Sequence, residues 1–207
     1  MNTEIIIHPK LQHLGLTTGD LEPMVAWYRS VLGMREVYRN DNPTDAPEGG
    51  FRPVAVWLSN DDANHRVAII AIDGLKFDPN RSHSPRMQHV AFSFAMLDEL
   101  LGTFVRLKRL GIIPVMAVDE GAQTAFYYQD PDRNTIELNV DNYGNSWTSA
   151  EHMMTSPAFA KKPLGVDVDP EEMIAAREQG ASSWEVHVRA WKQDFAPAEP
   201  YNPMAMM

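Results

Sequence analysis

The chain has 207 residues, 44% of them hydrophobic, enough for one substantial domain or two small modules sharing a core. Its 18 Lys and Arg against 28 Asp and Glu give a formal charge of −10, which repels a phosphate backbone, so nucleic acid is not an expected partner. The absence of cysteine excludes a disulfide framework, a thiolate zinc site and a thiol nucleophile, and fits a reducing compartment. Met1 to His8 lack the basic and long apolar regions of a signal peptide, and no run approaches transmembrane length, so a cytoplasmic protein without a membrane partner is expected.

The first predicted element is a strand over 11–17, with Leu14 and Leu16 on one face and His13, Gly15 and Thr17 on the other. After Asp20, the residues Leu21, Met24, Val25, Tyr28 and Leu32 recur at helical spacing and stop at Gly33. Three extended stretches follow, 34–39, 53–59 and 66–72, the first two separated by a Pro-, Gly- and Asp-rich turn region from Asn40 to Gly50. Residues 73–85 read as a linker. The order of events then repeats. Over 87–94, Val90, Phe92 and Phe94 oppose His89, Ala91 and Ser93; Leu97, Leu100, Leu101, Phe104 and Leu107 form an amphipathic helix that stops at Gly111. The stretches 112–118, 124–129 and 135–140 complete the unit, and in the last of them Ile136, Leu138 and Val140 oppose Glu137 and Asn139. Both units open Gln-His (Gln12-His13 and Gln88-His89) and both read βαβββ, an α+β arrangement with modules at 11–72 and 87–142 in one domain, 1–143.

Residues 144–207 form a helical and irregular C-terminal extension that packs on the domain or mediates contacts in a homo-oligomer. Within it, 144–162 shows no clear period. A short helix runs from Pro170 with Asp169 as its N-cap and Gly180 past its end, a second stretch spans 183–192, and the segment from Ala196, carrying Pro197, Pro200 and Pro203, is irregular. Met204 to Met207 read as a loose tail or an oligomer contact.

Two histidines and one carboxylate, His13, His89 and Glu137, therefore point off the apolar faces of their strands, a set able to hold a divalent metal and leave coordination positions open. His8, His83, His152 and His187 carry no such pattern and are expected to be structural or solvated. Asp130, Pro131 and Asn134 read as turn-formers.

The paired units resemble the vicinal oxygen chelate (glyoxalase/bleomycin resistance/dioxygenase) superfamily. Within it, the likeness is to single-domain type I extradiol ring-cleavage dioxygenases acting on biphenyl-2,3-diol-like catechols. The most specific stretch runs from Phe126 through Tyr127, Asp130 and Pro131 to Glu137; the likeness covers about residues 11–143, and Pro163 to Pro170 is similar to the tail of the short forms. The resemblance implies a vicinal oxygen chelate fold and a facial triad of His13, His89 and Glu137 holding Fe(II), with Mn(II) the nearest substitute. It implies Tyr127 as hydrogen-bond donor to the substrate and His65 as acid/base, with an aromatic diol and O2 as substrates. Trp57, Phe92 and Trp147 are candidates to bound the ring pocket.

Two positions depart from the pattern. Glu120 stands where such enzymes carry a histidine near bound dioxygen, and a carboxylate there disfavours developing negative charge unless protonated. Arg133 occupies a turn position usually held by glycine, where a positive φ is disfavoured for arginine. The departure at Glu120 keeps two other readings in view. One is a metal-dependent glyoxalase- or epimerase-like isomerase with Glu120 as base; the other is a non-catalytic protein that binds an aromatic compound.

Overall fold

The structure is a computed structural model that describes residues 8–41 and 53–206; the turn region expected from Asn40 to Gly50 lies, beyond Asp41, outside the described residues. The chain divides into two compact units, Met1–Asp78 and Pro79–Met207.

In the first unit, strand β1 (Leu14–Thr18) leads into helix α1 (Leu21–Leu32) and then β2 (Arg35–Asn40), β3 (Ala55–Ser59) and β4 (Val67–Ala71). The sheet order is β1-β4-β3-β2, with β1 parallel to β4 and the other pairs antiparallel. The helical crossover after β1 is what permits the parallel pair. α1 buries Met24, Val25, Tyr28 and Val31, and Gly33 caps it in the left-handed conformation at φ 63°, the stop that its position after the apolar stripe predicts.

The second unit repeats the plan with β5 (His89–Phe94), helix α2 (Leu97–Arg109), β6 (Met116–Asp119), β7 (Gln123–Gln129) and β8 (Thr135–Asp141), in the order β5-β8-β7-β6. Again the first and last strands are parallel and the rest antiparallel. α2 buries Leu97, Leu100, Leu101, Phe104 and Leu107, each contributing about 1.5–3 kcal/mol by leaving water. Phe104 meets Phe126 edge-on, with ring centroids 6.0 Å apart. The even-numbered side chains of β7 and β8, Phe126, Tyr128, Ile136 and Leu138, thus belong to the buried core; the odd-numbered ones are left for other work.

The extension is more regular than its sequence suggests. Residues 144–162, read as lacking a period, contain helix α3 (Ser146–Thr155), capped by Asn145 through Thr148 N, and helix α4 (Pro157–Lys161), capped by Ser156. Ser149 is the one buried residue of α3, so caps rather than an apolar stripe define its start. Trp147, a candidate to bound a ring pocket, is 88% exposed on α3. The short strand β9 (Val166–Asp167) adds to β6 at the sheet edge, followed by helix α5 (Pro170–Glu178), capped by Asp169 as expected, and helix α6 (Ser183–Trp191).

One buried carboxylate anchors this extension. Asp119, at the end of β6 and fully buried, accepts hydrogen bonds from Gly121 N (2.9 Å), Trp191 Nε1 (2.9 Å), Asn142 Nδ2 (3.2 Å) and His187 Nδ1 (2.8 Å). Four donors are what make burial of a carboxylate tolerable. His187 is accordingly a structural histidine. Gly165, at φ 74°, passes so close to this turn that a Cβ would stand 2.1 Å from Asp119 O, so glycine is required where β9 meets β6.

Candidate active site

In the second unit, the strand register assembles a polar row on the odd-numbered face. Tyr127 lies directly across from Glu137, and Ala91 pairs with Glu137 from the other side, so His89 sits diagonally to the carboxylate. His89 Nε2 is 2.9 Å from Glu137 Oε2. The other oxygen, Oε1, accepts from Gln123 Nε2 (2.8 Å) and Asn139 Nδ2 (2.7 Å). Glu137 is 1% exposed, and these partners offset the desolvation of its charge.

The Gln-His repeat now has a physical meaning. His89 Nδ1 donates to Gln88 Oε1, and His13 Nδ1 donates to Gln12 Oε1. An Nδ1–H committed to a carbonyl oxygen leaves the Nε2 lone pair outward, the tautomer a metal ligand needs. For His89, that nitrogen faces a carboxylate oxygen of Glu137, which sets an imidazole and a carboxylate donor side by side. Their 2.9 Å separation would let both side chains hold one ion. Among the described residues, no three or more His, Cys, Asp or Glu side chains are drawn together as a metal cage. The second unit supplies a fitting pair of donors of the imidazole and carboxylate types that suit Fe(II) or Mn(II).

Glu120 joins the same network. Tyr127 donates its hydroxyl proton to Glu120 Oε1 (2.7 Å), and Gln123 Nε2 lies 2.9 Å from Glu120 Oε2, so one amide bridges two carboxylates. Burial raises the pKa of Glu120; Tyr127 and Gln123 oppose the shift and the Glu137 charge adds to it. Burial also raises the Tyr127 pKa far above its ordinary value, reinforced by Glu120, so this hydroxyl acts as a donor. Its ring meets His89 edge-on at 5.6 Å. Arg133 has φ 60°, the left-handed conformation that its turn position implies.

In the first unit, His13 stands one residue before β1 and its neighbour is His65, with ring centroids 4.3 Å apart. Gln12 ties the two loops together, since its Nε2 donates to Asn64 Oδ1 (2.7 Å) while its Oε1 holds His13. Burial, and then the neighbouring His13, lower the pKa of His65 and keep its imidazole neutral and able to accept a proton.

The structure thus brings together His89, Glu137, Tyr127 and Glu120 in one unit, and His13 and His65 in the other. Sequence reasoning missed the second row of partners. The Gln-His repeat was a visible signal for Gln12 and Gln88, and the strand alternation put Asn139 on the face of Glu137, whereas nothing local marks Gln123 or the donor cluster around Asp119.

The profile of the Glyoxalase/Bleomycin resistance protein/Dioxygenase superfamily matches residues 10–138, and the chain belongs to this superfamily. Two curated relatives from Rhodococcus globerulus match it along most of its length. Biphenyl-2,3-diol 1,2-dioxygenase 3 is 30% identical over 185 residues, covering 89% of this chain and 90% of the relative. Biphenyl-2,3-diol 1,2-dioxygenase 2 is 31% identical over 196 residues, covering 95% of each. Among solved structures, a glyoxylase/bleomycin resistance protein/dioxygenase domain from Frankia sp. EAN1pec superposes with a TM-score of 0.56 at 18% identity, covering 67% of this chain and 96% of that one, a likeness of fold.

Proposed function

We propose that the protein is a non-haem Fe(II)-dependent extradiol-type dioxygenase that opens the ring of a catecholic, 2,3-dihydroxybiphenyl-like aromatic with O2. The observation that carries this reading is the His89–Glu137 pair, oriented by Gln88, Gln123 and Asn139, in a chain similar along most of its length to two biphenyl-2,3-diol 1,2-dioxygenases. In this reading His13, His89 and Glu137 hold the metal. Iron, when bound, supplies Lewis acidity toward the diol and the electrons that activate dioxygen. Neutral His65 takes a proton from the substrate hydroxyl and returns it later. Tyr127, whose hydroxyl proton rests on Glu120 before substrate binds, turns that proton to the substrate oxygen, and until then Glu120 holds the hydroxyl in place. With its raised pKa, Glu120 carries less negative charge beside the oxygen site than an ordinary carboxylate would.

A second reading, a metal-dependent isomerase or epimerase of the same superfamily, is favoured by one feature, the buried Glu120 carboxyl with its raised pKa, suited to proton transfer. Anaerobic loading with Fe(II), followed by 2,3-dihydroxybiphenyl and simple catechols in air, separates the two. Oxygen uptake with a yellow ring-opened product is expected. His65→Ala should slow turnover and keep the iron, and His89→Ala should lose the iron. A fully iron-loaded protein that consumes no oxygen over a broad catechol panel sinks the dioxygenase reading.

A further inference from the structure

The end of the chain, where the sequence reads Met204 to Met207 as a loose tail or an oligomer contact, is docked in the described residues beside the active-site row. Pro203–Met206 forms a 3-10 turn, and Met206 is 9% exposed, packed with Val118, Ala125 and Tyr127. Those contacts lie on the odd-numbered face of the sheet, the same face that carries Glu137 and Gln123. The anchors are spread over three strands or their flanks. Gln129 Nε2 donates to Ala205 O (2.7 Å), Thr135 Oγ1 to Met206 O (3.5 Å) and Arg86 Nη2 to Met206 O (3.2 Å).

Gln129 pairs with Thr135, and Thr135 with His89, so the segment crosses the sheet at the His89 end, one step along the same face from the Tyr127–Glu137–Ala91 row. Tyr127 meets both Met206 and the His89 ring. The sulfur of Met206 also lies 3.9 Å from Nε2 of Gln88, whose Oε1 holds His89. A flexible, polarisable thioether next to the tyrosine that faces substrate is suited to pressing on an apolar ring.

We infer that Met206 forms a wall of the substrate pocket and sets how large a substituent the aromatic diol carries. The inference rests on the dioxygenase reading for the identity of the substrate. It gives the 201–206 segment a defined role, holding one side chain beside Tyr127 through backbone-carbonyl anchors that leave the thioether free to pack.

The test compares catechol with 2,3-dihydroxybiphenyl in the full-length, iron-loaded protein. Met206→Ala enlarges the pocket and should raise the ratio of kcat/KM for the biphenyl diol over catechol roughly tenfold; Met206→Trp should lower it by a similar factor, the scale of gaining or losing a few methylenes in an apolar pocket. Met206→Leu, close in volume, should keep the wild-type ratio. The Fe(II) dissociation constant should change less than about threefold in all three, since a thioether at Gln88 is a weak acceptor and no ligand is touched. A ratio unchanged within about twofold in both the Ala and Trp variants overturns the inference. So does an equal fall for both diols accompanied by loss of iron, which would make Met206 a support for Gln88 instead of a wall. If the wild-type protein turns over neither diol, the dioxygenase reading fails on its own; the same ratio is then read from anaerobic dissociation constants of the two diols, by calorimetry, with the same thresholds.

Discussion

Replacing Asp119 with alanine tests how the extension is held. The carboxylate accepts from four donors, two of them, His187 and Trp191, belonging to α6. Each hydrogen bond to a charged group is worth about 1.5–3 kcal/mol but the set is not additive, and removing one partner of a buried pair typically costs about 3–5 kcal/mol. The expected loss is therefore about 3–5 kcal/mol, a large part of the roughly 5–15 kcal/mol that holds a typical domain together. With a urea slope of about 2–3 kcal/mol/M, the midpoint should fall by about 1–2.5 M, read by far-UV circular dichroism. Because His187 spends its Nδ1–H on the same oxygen pair, His187→Ala and Asp119→Ala should be coupled by at least about 1 kcal/mol in a double-mutant cycle. A loss below about 1 kcal/mol for Asp119→Ala, or additive single mutants, would show that the network does not anchor α6.

Two further outcomes follow from local geometry. Gly165→Ala should cost about 2–5 kcal/mol, combining a positive φ with a methyl driven into Asp119 O, and should expose the β6 edge; proteolysis between β9 and α5 checks this. Asp98→Asn should cost about 0.5–1 kcal/mol at neutral pH, since the bidentate contact with Arg177 on α5 is partly solvated. Arg177 holds the Asp98 carboxyl below its ordinary range. A depressed folded pKa means this stability is present above the unfolded value near 3.8 and is lost as pH falls through the folded one, so wild type and variant should converge in acid melts.

The duplicated βαβββ plan was legible because both strands and helices carry their periods openly: Val90, Phe92 and Phe94 alternate, and Leu97, Leu100, Leu101, Phe104 and Leu107 track one helical face. Helix α3 was not legible. Trp147, Met153 and Met154 are exposed in the fold, so its apolar residues mark no buried face, and the cap at Asn145 was the only signal. His89 and Glu137 could be picked out from their strand faces, and the structure joins them. Gln123 could not, because its role depends on a turn that places Glu120 Oε2 and Glu137 Oε1 on either side of one amide. Asp119 looks like any turn carboxylate in sequence; two of its donors, at positions 187 and 191, arrive only through tertiary packing. Met206 reads in sequence as part of a loose tail or an oligomer contact for the same reason, since its partners Val118, Ala125 and Tyr127 are about eighty residues or more away.

Whether the protein inserts dioxygen into the ring is read by isotope labelling of the product formed from 2,3-dihydroxybiphenyl by the iron-loaded protein under 18O2. The ring-opened product should carry both oxygen atoms of one labelled molecule. An intact diol after prolonged incubation of fully iron-loaded protein, or a product free of label, would contradict it.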